Sequence, residues 1–371
     1  SISGSAVANV IGTGTFTIPL MKKCGYDPET AAAVEASAST GGQFTPPVMG
    51  ATAFLIAERL AIPYFELVKA AAIPAILYYA SLLFSVDVYA QRNGLVGLSK
   101  EEIPKIRPML KQIYLLSPLV VLVLLLSVAG TTVTRAGLFT ILFSLVVVML
   151  DRKHRLTLKK FIDACVSAAK SAVPVAVACA MAGIISGVVM GTGVGFRLSS
   201  VLIEASGGQP LILLILTMIV SLFMGMGIPT ISAYIVLAIL VAPALTQMGF
   251  SALASHMFIF FFGCISVITP PVALASYAGA GLAGCSPART GIRAFRLAIC
   301  AFILPYLFCY NEELLAQGAW YNVLYCMLTA LIGVYSLACG QEGFLFNWKV
   351  AMWERVLLIA GALGLVVPGV I

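Results

Sequence analysis

One four-residue motif, Thr-Pro-Pro-Val, occurs twice in this sequence, at residues 45–48 and 269–272. The same offset of 224 residues (269 minus 45) pairs further identical positions, so the chain contains one structural unit twice. Each copy places a double proline inside an apolar segment, where the backbone loses hydrogen bonds and cannot stay helical. The paired positions are Pro19 with Pro243, Gly25 with Gly249, Ala51 with Ala275, Pro63 with Pro287, Ala70 with Ala294 and Phe84 with Phe308.

The composition predicts an all-α polytopic membrane protein embedded in a lipid bilayer. Hydrophobic residues make up 61% of the chain and charged residues 10%, and the mean hydropathy is +1.04. No Asp, Glu, Lys or Arg occurs from residue 205 to residue 288, enough for about four crossings at roughly 20 residues each. In lipid, a broken helix is tolerated only where the freed backbone groups are buried in protein or line a cavity. Paired broken helices in repeated halves therefore point to the binding site of a secondary transporter.

Several other classes of protein are excluded by motif. Nine cysteines lie in apolar stretches without a CxxC or Cys/His cluster, which indicates core residues and neither disulfides nor a metal site. The net charge of +7 comes from basic interhelical loops, so nucleic acid is not an expected partner. No metalloprotease, serine-hydrolase or Walker motif is present, and we expect neither enzyme activity nor an organic cofactor. Transport would take its energy from an ion gradient or another subunit.

The pattern divides the chain into four regions. Residues 1–90 are expected to form the first repeat, 91–172 cytoplasmic loops and scaffold spans, 173–310 the second repeat, and 311–371 a carboxyl-terminal extension. Because the sequence starts without a methionine and partway through the first copy, we expect it to be an amino-terminally truncated fragment.

Within the repeats, glycine, proline and hydroxyl residues set the expected boundaries. Residues 1–21 are interpreted as the tip and return limb of a re-entrant hairpin that ends at Pro19, and residues 210–245 as a second such hairpin. A helix capped by Asp27 should run from Pro28 to Gly41, break over 42–47 and resume to Glu58. The second broken crossing is expected at 252–284. Further spans are expected at 63–89, 113–130, 132–150, 172–195, 288–310, 319–339 and 353–371, with interfacial helices at 161–170 and 197–207.

Charge placement predicts that the two copies have opposite orientation. The strongest basic loops, 91–112 and 151–172, belong in the cytoplasm by the positive-inside rule, and two spans between them allow this. Traced forward, hairpin 210–245 enters from outside and Arg293 falls inside; traced backward, the first hairpin enters from inside. An inverted-topology repeat follows, which is the architecture for alternating access around a midplane site.

The breaks and hairpin tips supply the candidate site. Backbone carbonyls at 41–45 and 266–269, with the hydroxyls of Thr45 and Thr269, suit a hard cation such as Na⁺. The half-helices after Pro47 and Pro271 direct positive N-termini to the same depth, which favours an anionic substrate group. For the glycines of the hairpin tips, the alternative to ligand contact is a role in close helix packing. Candidate ion-binding residues are Ser3, Gly4, Ser5, Gly41, Thr45, Pro46, Gly225, Gly227, Thr269 and Pro270; candidate substrate-binding residues are Asn9, Gln43 and Thr230.

Three ionisable residues lie inside or near the predicted spans. Glu35 is the one carboxylate well inside a span of the first half, and a carboxylate buried in a membrane is a functional hypothesis by default. The alternative is that it reaches the interface or bonds Ser39. His256 and Asp87 are interpreted as interfacial or internally satisfied residues.

Six segments carry a resemblance to a known family. The segments are SGSAVANV (3–10), Gly25-Tyr26, EASASTGGQFTPPVMGA (35–51), GMGIPT (225–230), SAYIVLA (232–238) and ITPPVALASYAGAGLAG (268–284). They resemble the large membrane subunit of tripartite ATP-independent periplasmic (TRAP) transporters, and more narrowly the type in which small and large membrane subunits are fused. The resemblance covers residues 1–315, while 319–371 is similar to the variable extension of fused members.

The resemblance implies an elevator-type Na⁺ symporter, similar to other members of the ion-transporter superfamily, in a bacterial or archaeal inner membrane. It implies a moving domain of two hairpins and two broken helices, and a periplasmic solute-binding protein that delivers a carboxylate-bearing small molecule. By motif, residues 3–9 and 225–230 correspond to the hairpin tips, and 42–47 and 269–271 to the breaks. The small-subunit region would be fused upstream and missing from this fragment.

Two other functions fit the same residues. One is a divalent-anion:Na⁺ symporter of similar architecture, which works without a binding protein. The other is a non-transporting membrane scaffold or channel, which predicts neither stabilisation by Na⁺ nor saturable uptake. Uptake measured with and without periplasmic extract separates the first alternative from a TRAP transporter.

Overall fold

The computed structural model describes residues 4–98, 113–127, 131–150, 156–346 and 348–366. The candidate tip residue Ser3, and residues 99–112 and 151–155 of the two basic loops, lie outside these ranges.

The described chain is built almost entirely of helices. Short 3₁₀ turns lie at Ile113–Leu116, Ser266–Ile268 and Glu312–Leu315, and a two-residue antiparallel ladder pairs Phe344 with Lys349. The α-helices are α1 Ala6–Lys23, α2 Pro28–Gly41, α3 Ala51–Arg59, α4 Tyr64–Asn93, α5 Ser117–Ser127, α6 Val133–Leu150, α7 Leu158–Thr192, α8 Val194–Ala205, α9 Pro210–Gly225, α10 Thr230–Leu240, α11 Ala242–Gln247, α12 Ala252–Ile265, α13 Leu274–Ala283, α14 Pro287–Leu297, α15 Ile299–Tyr310, α16 Trp320–Glu342 and α17 Met352–Val366.

The internal repeat predicted from the sequence is present in the helix boundaries. Helices α2 and α12 begin and end at positions related by the same offset of 224 residues, 252 minus 28 and 265 minus 41. Their N-cap residues, Asp27 and Ser251, are related by the same offset. The Asp27 side chain accepts a hydrogen bond from the Thr30 amide, and the Ser251 side chain accepts one from the Ala254 amide. After each helix the backbone leaves the helical path, passes through a cis Pro-Pro bond and resumes as α3 or α13. Each of the two helices is therefore interrupted at its double proline.

The second tip region is a helix–turn–helix. Helix α9 ends at Gly225, Gly227 adopts a positive φ of 80°, and α10 begins at Thr230 after Pro229. In the first copy, Gly4 has a positive φ of 67° and Ser5 caps α1. Both tips thus place a glycine where the backbone turns in the left-handed region.

Small residues let the repeat helices approach one another closely. Helix α2 packs against α1, α13 and α14, and eight of its 14 residues are Ala, Ser or Gly. At Gly279 of α13 a β-carbon would lie 3.0 Å from the Ala32 carbonyl oxygen. Close packing of small residues is a common way for membrane helices to associate. Since both α2 and α13 belong to broken helices, this contact joins the two copies.

Within the described ranges, three helical segments are long and apolar enough to cross a membrane: Tyr64–Asn93, Pro287–Tyr310 and Trp320–Glu342. The second bends at Ala298, between α14 and α15. The buried core between the repeats is strongly aromatic, with Phe258 and Phe260–Phe262 of α12 fully buried.

Two boundary predictions were wrong. Helix α1 does not end at Pro19 but continues to Lys23, because its packing against α2 and α13 outweighs the single hydrogen bond that proline removes. The predicted interfacial helix 161–170 and span 172–195 are one continuous helix, α7, which runs through Pro174.

Candidate functional site

The first break is a short loop closed on itself by hydrogen bonds. The amide of Phe44 donates to the Gly41 carbonyl at 3.2 Å, and the amide of Gly50 donates to the Gln43 carbonyl at 2.8 Å. The hydroxyl of Thr45 donates to the Gly41 carbonyl at 2.5 Å. Because the Thr45 proton is used in this way, the lone pairs of its oxygen remain available to accept a donor or bind a cation.

The second break repeats this arrangement. The hydroxyl of Thr269 donates to the Ile265 carbonyl at 2.9 Å. Thr269 is the counterpart of Thr45, and Ile265 is the counterpart of Gly41. The Thr269 amide donates to the Ser266 carbonyl at 3.1 Å, and the Ser266 hydroxyl donates to the Gly263 carbonyl at 2.8 Å. Both predicted threonines therefore sit at equivalent positions with their protons directed back into the preceding helix.

Tyrosine hydroxyls satisfy carbonyls around the breaks, which the sequence analysis missed. Tyr78 and Tyr79 of α4 donate to the carbonyls of Ser37 and Ala38 at 2.7 and 2.8 Å. The hydroxyl of Tyr64 lies 2.9 Å from the Val48 carbonyl oxygen and 3.1 Å from the Pro47 carbonyl oxygen. No spacing rule links these tyrosines to the prolines, so the only available signal was a tyrosine pair in an apolar span.

The matching carbonyl of the second break is satisfied from a different place. The Tyr277 hydroxyl donates to the Pro271 carbonyl, and Pro271 is the counterpart of Pro47. Tyr277 itself is not the counterpart of Tyr64, because the offset would require residue 288, which is alanine. Tyrosine capping of these carbonyls thus narrows the set of backbone oxygens that a cation can use.

Each tip touches the break of its own copy through a glycine. A β-carbon at Gly4 would lie 2.8 Å from the Gly50 α-carbon, and one at Gly225 would lie 2.5 Å from the Ser266 hydroxyl oxygen. Neither contact leaves space for a side chain. The close-packing interpretation of Gly4 and Gly225 is therefore supported by geometry, and the packing is also what brings tip and break together.

The two copies meet at Gln43. Its Oε1 accepts a hydrogen bond from the Thr230 hydroxyl at 2.6 Å, which links the first break to the second tip across 187 residues. Gln43 is 2% exposed, and its Nε2 has no hydrogen-bond partner among the described residues. Beside it, the Phe44 ring stacks on Phe261 of α12 with 4.3 Å between centroids. Two of the three predicted substrate residues are thus in direct contact.

The third predicted substrate residue lies further from the breaks. Asn9 is buried in the first turn of α1, where its backbone amide donates to the Ser5 carbonyl at 3.0 Å. Its side-chain Nδ2 donates to the Ser39 carbonyl in the last turn of α2 at 3.2 Å. Ser5 accepts from the Ala8 amide at 3.4 Å as the cap of α1. The structure therefore places Asn9 between α1 and α2.

The segments that form the two breaks and the second tip contain no charged side chain. Residues 36–57 and 205–288 contain no Asp, Glu, Lys or Arg. Helices α3 and α13 begin at the breaks, and neither Gly50 nor Ala273 provides a side-chain cap. Uncapped N-termini leave amide protons and the positive end of the helix dipole directed at the site. Such ends stabilise an anion without a lysine or arginine.

The ionisable residues have assigned partners. The Tyr234 hydroxyl oxygen lies 2.7 Å from Nδ1 of buried His256. This hydrogen bond fits the interpretation of His256 as an internally hydrogen-bonded residue. Asp87 is exposed and accepts from Gln91 Nε2 at 2.7 Å. Glu35 is bonded by Ser39 at 3.0 Å, as the alternative reading of this residue expected. No group of three His, Cys, Asp or Glu side chains arranged for a metal ion occurs among the described residues.

In the described part of the chain, three apolar helices of membrane-spanning length and several shorter apolar helices indicate a multi-pass membrane protein. A family model described as "Tripartite ATP-independent periplasmic transporter, DctM component" matches residues 1–323. The chain belongs to this family. The resemblance carried by the sequence motifs is therefore confirmed, and the family is one of transporter permeases and not of enzymes.

Two curated relatives show the same affiliation at lower identity. Sialic acid TRAP transporter permease protein SiaT of Haemophilus influenzae (strain 86-028NP) is 24% identical over 285 residues, which are 74% of this chain and 44% of that protein. Uncharacterized protein y4mL of Sinorhizobium fredii (strain NBRC 101917 / NGR234) is 24% identical over 286 residues, 76% of this chain and 67% of that protein. The chain thus spans less than half the length of SiaT.

Proposed function

We propose that this chain is the large permease part of a Na⁺-coupled TRAP transporter that imports a carboxylate-bearing solute by an elevator mechanism. Family membership supports the transporter class. The repeated broken helices support alternating access, since this architecture places a binding site between two equivalent halves. For its partners we propose a periplasmic solute-binding protein and a small membrane subunit, as is general in the family, and a location in a bacterial or archaeal inner membrane.

The observation that carries the proposed binding site is the buried amide of Gln43. Leaving a buried donor without a partner costs about 1–3 kcal/mol, and Gln43 Nε2 is such a donor among the described residues. A solute oxygen accepting from Nε2 would remove this cost. Thr230 fixes the amide by occupying Oε1, so Nε2 is the atom left for the solute.

The charge of the solute follows from the surrounding backbone. Uncapped N-termini of α3 and α13 favour an anionic group, and the relative SiaT is named for the transport of an acid. We place Na⁺ at the breaks, with the oxygens of Thr45 and Thr269 as ligands and backbone carbonyls completing the shell. Bound cations then offset the negative charge of the solute in a site that has no basic side chain.

A test of this function uses the full-length transporter in proteoliposomes with its periplasmic binding protein. Uptake of candidate carboxylates is measured with an inward Na⁺ gradient and with K⁺ replacing Na⁺. We expect uptake only with both Na⁺ and the binding protein. Uptake without the binding protein would instead indicate a divalent-anion symporter, and the absence of any saturable uptake would favour a scaffold.

The site itself is tested with a matched pair of variants. Gln43→Leu keeps the approximate volume but removes Nε2, so solute affinity should fall at least tenfold while stabilisation by Na⁺ is retained. Thr246→Val, on α11, is the control, because the Thr246 hydroxyl only donates within its own helix, to the Pro243 carbonyl at 3.0 Å. Equal affinity in both variants would remove Gln43 from the solute site.

A further inference from the structure

Three hydroxyl groups converge on the buried carboxyl group of Glu35. Its Oε1 accepts from Thr13 and from Ser39, the latter at 3.0 Å, and its Oε2 accepts from Thr17 at 2.5 Å. Thr13 and Thr17 belong to α1, whereas Glu35 and Ser39 belong to α2. The carboxyl group is therefore a polar contact between α1 and α2, in addition to the Asn9–Ser39 hydrogen bond.

No positive charge compensates Glu35 among the described residues. Two arginines of α14 are held at the start of α2, where Arg293 pairs with Asp27 and Arg289 lies 3.8 Å from Glu29. Asp27 is eight residues from Glu35, which is about 12 Å along the helix at 1.5 Å per residue. On α1, Lys22 at the far end donates to the Ala283 carbonyl at 3.1 Å. On the other helices packed against α2, Lys69 of α4 pairs with Glu66, and Arg92 of α4 and Arg296 of α14 line one pocket with Glu342. The remaining titratable side chains there carry no positive charge as a neutral phenol, thiol or imidazole: Tyr78, Tyr79 and Tyr89 of α4, Tyr277 of α13, and His256 and Cys264 of α12.

An ionised carboxylate without a nearby cation is costly in apolar surroundings. This cost is usually offset by a bound metal cation or by protonation of the carboxylate. Packing argues against the metal: a β-carbon at Gly14 would lie 3.2 Å from Glu35 Cγ and 3.1 Å from Leu282 Cδ1. The contacts of Thr17 and Ser39 with the carboxyl oxygens are hydrogen bonds, which a proton on either oxygen can maintain.

The hydroxyl groups can serve both charge states without movement of heavy atoms. Thr13 Oγ1 lies 2.9 Å from the Asn9 carbonyl oxygen, and Thr17 Oγ1 lies 3.1 Å from the Thr13 carbonyl oxygen. Each threonine has one proton and two acceptors within reach. When Glu35 is ionised, the threonines donate to it. When Glu35 is protonated, its own proton goes to a threonine oxygen and that threonine donates to the carbonyl in its own helix.

Protons have a route to this group from the surface of the described chain. Thr13 is exposed and Thr17 is half-buried, while Glu35 lies behind them at 6% exposure. A row of hydroxyl groups can pass a proton by rotation, so a bulk opening is not required.

We propose that Glu35, with Thr13, Thr17 and Ser39, is a proton-binding site that is separate from the Na⁺ and solute sites at the breaks. Binding adds one proton to a carboxylate oxygen, which neutralises the group. Since Thr13 and Thr17 belong to α1 and Glu35 to α2, the protonation state changes the hydrogen-bond direction between these helices.

The test uses infrared difference spectroscopy on the full-length protein in lipid nanodiscs, with the proton as the probe. A protonated buried carboxyl group gives a carbonyl band in a region free of amide absorption. We expect such a band to appear and disappear with pH while the protein stays folded, and to be lost in Glu35→Gln. Glu29→Gln is the matched control on the same helix and should retain the band, because Glu29 faces Arg289.

A second variant keeps the test decisive if Glu35→Gln does not fold. Thr17→Val preserves shape and removes one hydrogen bond to Oε2, so the Glu35 band should move to higher frequency. Ser39→Ala should act in the same direction through Oε1. An unchanged spectrum in these variants would overturn the assignment. A carboxylate that stays ionised at every pH tolerated by the fold, and instead responds to Na⁺, would overturn the proposal in favour of a metal site.

Discussion

At the scale of single residues, Gly41 shows how tightly the first break is built. A β-carbon there would lie 2.6 Å from Tyr78 Cε1 and 2.9 Å from Tyr79 Cζ. Both rings are fixed by their hydrogen bonds to α2, so neither can move away. We expect Gly41→Ala to lower the free energy of unfolding by about 1–3 kcal/mol, as overpacked cores do.

The matched control for Gly41 is Gly12. It lies within α1 with nothing within 4 Å of an added β-carbon, so Gly12→Ala should be neutral or slightly stabilising. Reversible unfolding in denaturant, followed by far-ultraviolet circular dichroism, measures both. Equal stability of the two variants would show that the Tyr78 and Tyr79 contacts do not hold the break.

The two break threonines make a separate prediction about Na⁺. Their hydroxyl protons point to Gly41 and Ile265, so Thr45→Ala and Thr269→Ala should each remove a cation ligand. A tenfold loss of Na⁺ affinity lowers stabilisation at saturating Na⁺ by about 1.4 kcal/mol. Thermal unfolding in Na⁺ and in K⁺ at equal ionic strength measures it. Thr45→Ser retains the oxygen and should keep the response; if both alanine variants respond like wild type, these threonines are not ion ligands.

Residue identity was predictable from the sequence where a rule links it to backbone geometry. The double prolines and the Thr45–Thr269 pair follow from repetition, and both positions are equivalent in the structure. For Gln43 and Thr230, the sequence predicted two polar residues near the same site, but not the hydrogen bond between them. The capping tyrosines were not predictable, because their hydroxyls reach the carbonyls of other helices and leave no periodic trace.

At the scale of elements, the start of α2 is tied to α14 by charge. Asp27 caps α2, accepts from Thr30 and Tyr89, and pairs with Arg293. Burial raises the pKa of the Asp27 carboxyl, but hydrogen bonds from Thr30 and Tyr89 together with the Arg293 charge outweigh it and lower the pKa to about 2. A lowered pKa adds stability that is present above the unfolded-state pKa, and that is lost as pH falls through the folded one.

Stability should therefore decline as the pH falls from about 4 toward about 2, and Asp27→Asn should remove this acid-sensitive step. Asparagine still caps a helix, so the variant isolates the charge. The change should be modest because the pair is partly exposed and solvent screens it. Unfolding midpoints across this pH range give the measurement, with Asp87→Asn, at an exposed carboxylate, as the control that keeps the step. The same acid sensitivity in Asp27→Asn as in wild type would contradict the assignment.

Element boundaries were predictable where capping and proline signals coincide. Helix α2 runs from Pro28 to Gly41 as expected, since Asp27 precedes it and the double proline follows. Helix α7 was divided wrongly because charged residues near its start suggested an interfacial segment, although they do not interrupt its hydrogen bonding. Composition indicates where a segment lies in a membrane, but helix ends depend on which backbone groups lose partners.

At the scale of the whole molecule, the remaining question about architecture is the relative orientation of the copies. Glu66 is at the start of α4, and the offset of 224 residues makes it the counterpart of Thr290 at the start of α14. A parallel repeat would put these positions on the same side of the membrane, and an inverted repeat on opposite sides. Thr290 is buried, but its neighbour Arg289 has a side chain that is 75% exposed.

Cysteine labelling in intact cells decides between these arrangements. In a variant with all nine native cysteines replaced, Glu66→Cys should react with a membrane-impermeant maleimide from outside, because the basic loop after α4 is held in the cytoplasm. Arg289→Cys and Asn93→Cys should react only after permeabilisation. Arg289 is preferred to Arg293, whose pairing with Asp27 would be lost. External labelling of both Glu66→Cys and Arg289→Cys would establish a parallel repeat and remove the symmetry on which the proposed alternating access depends.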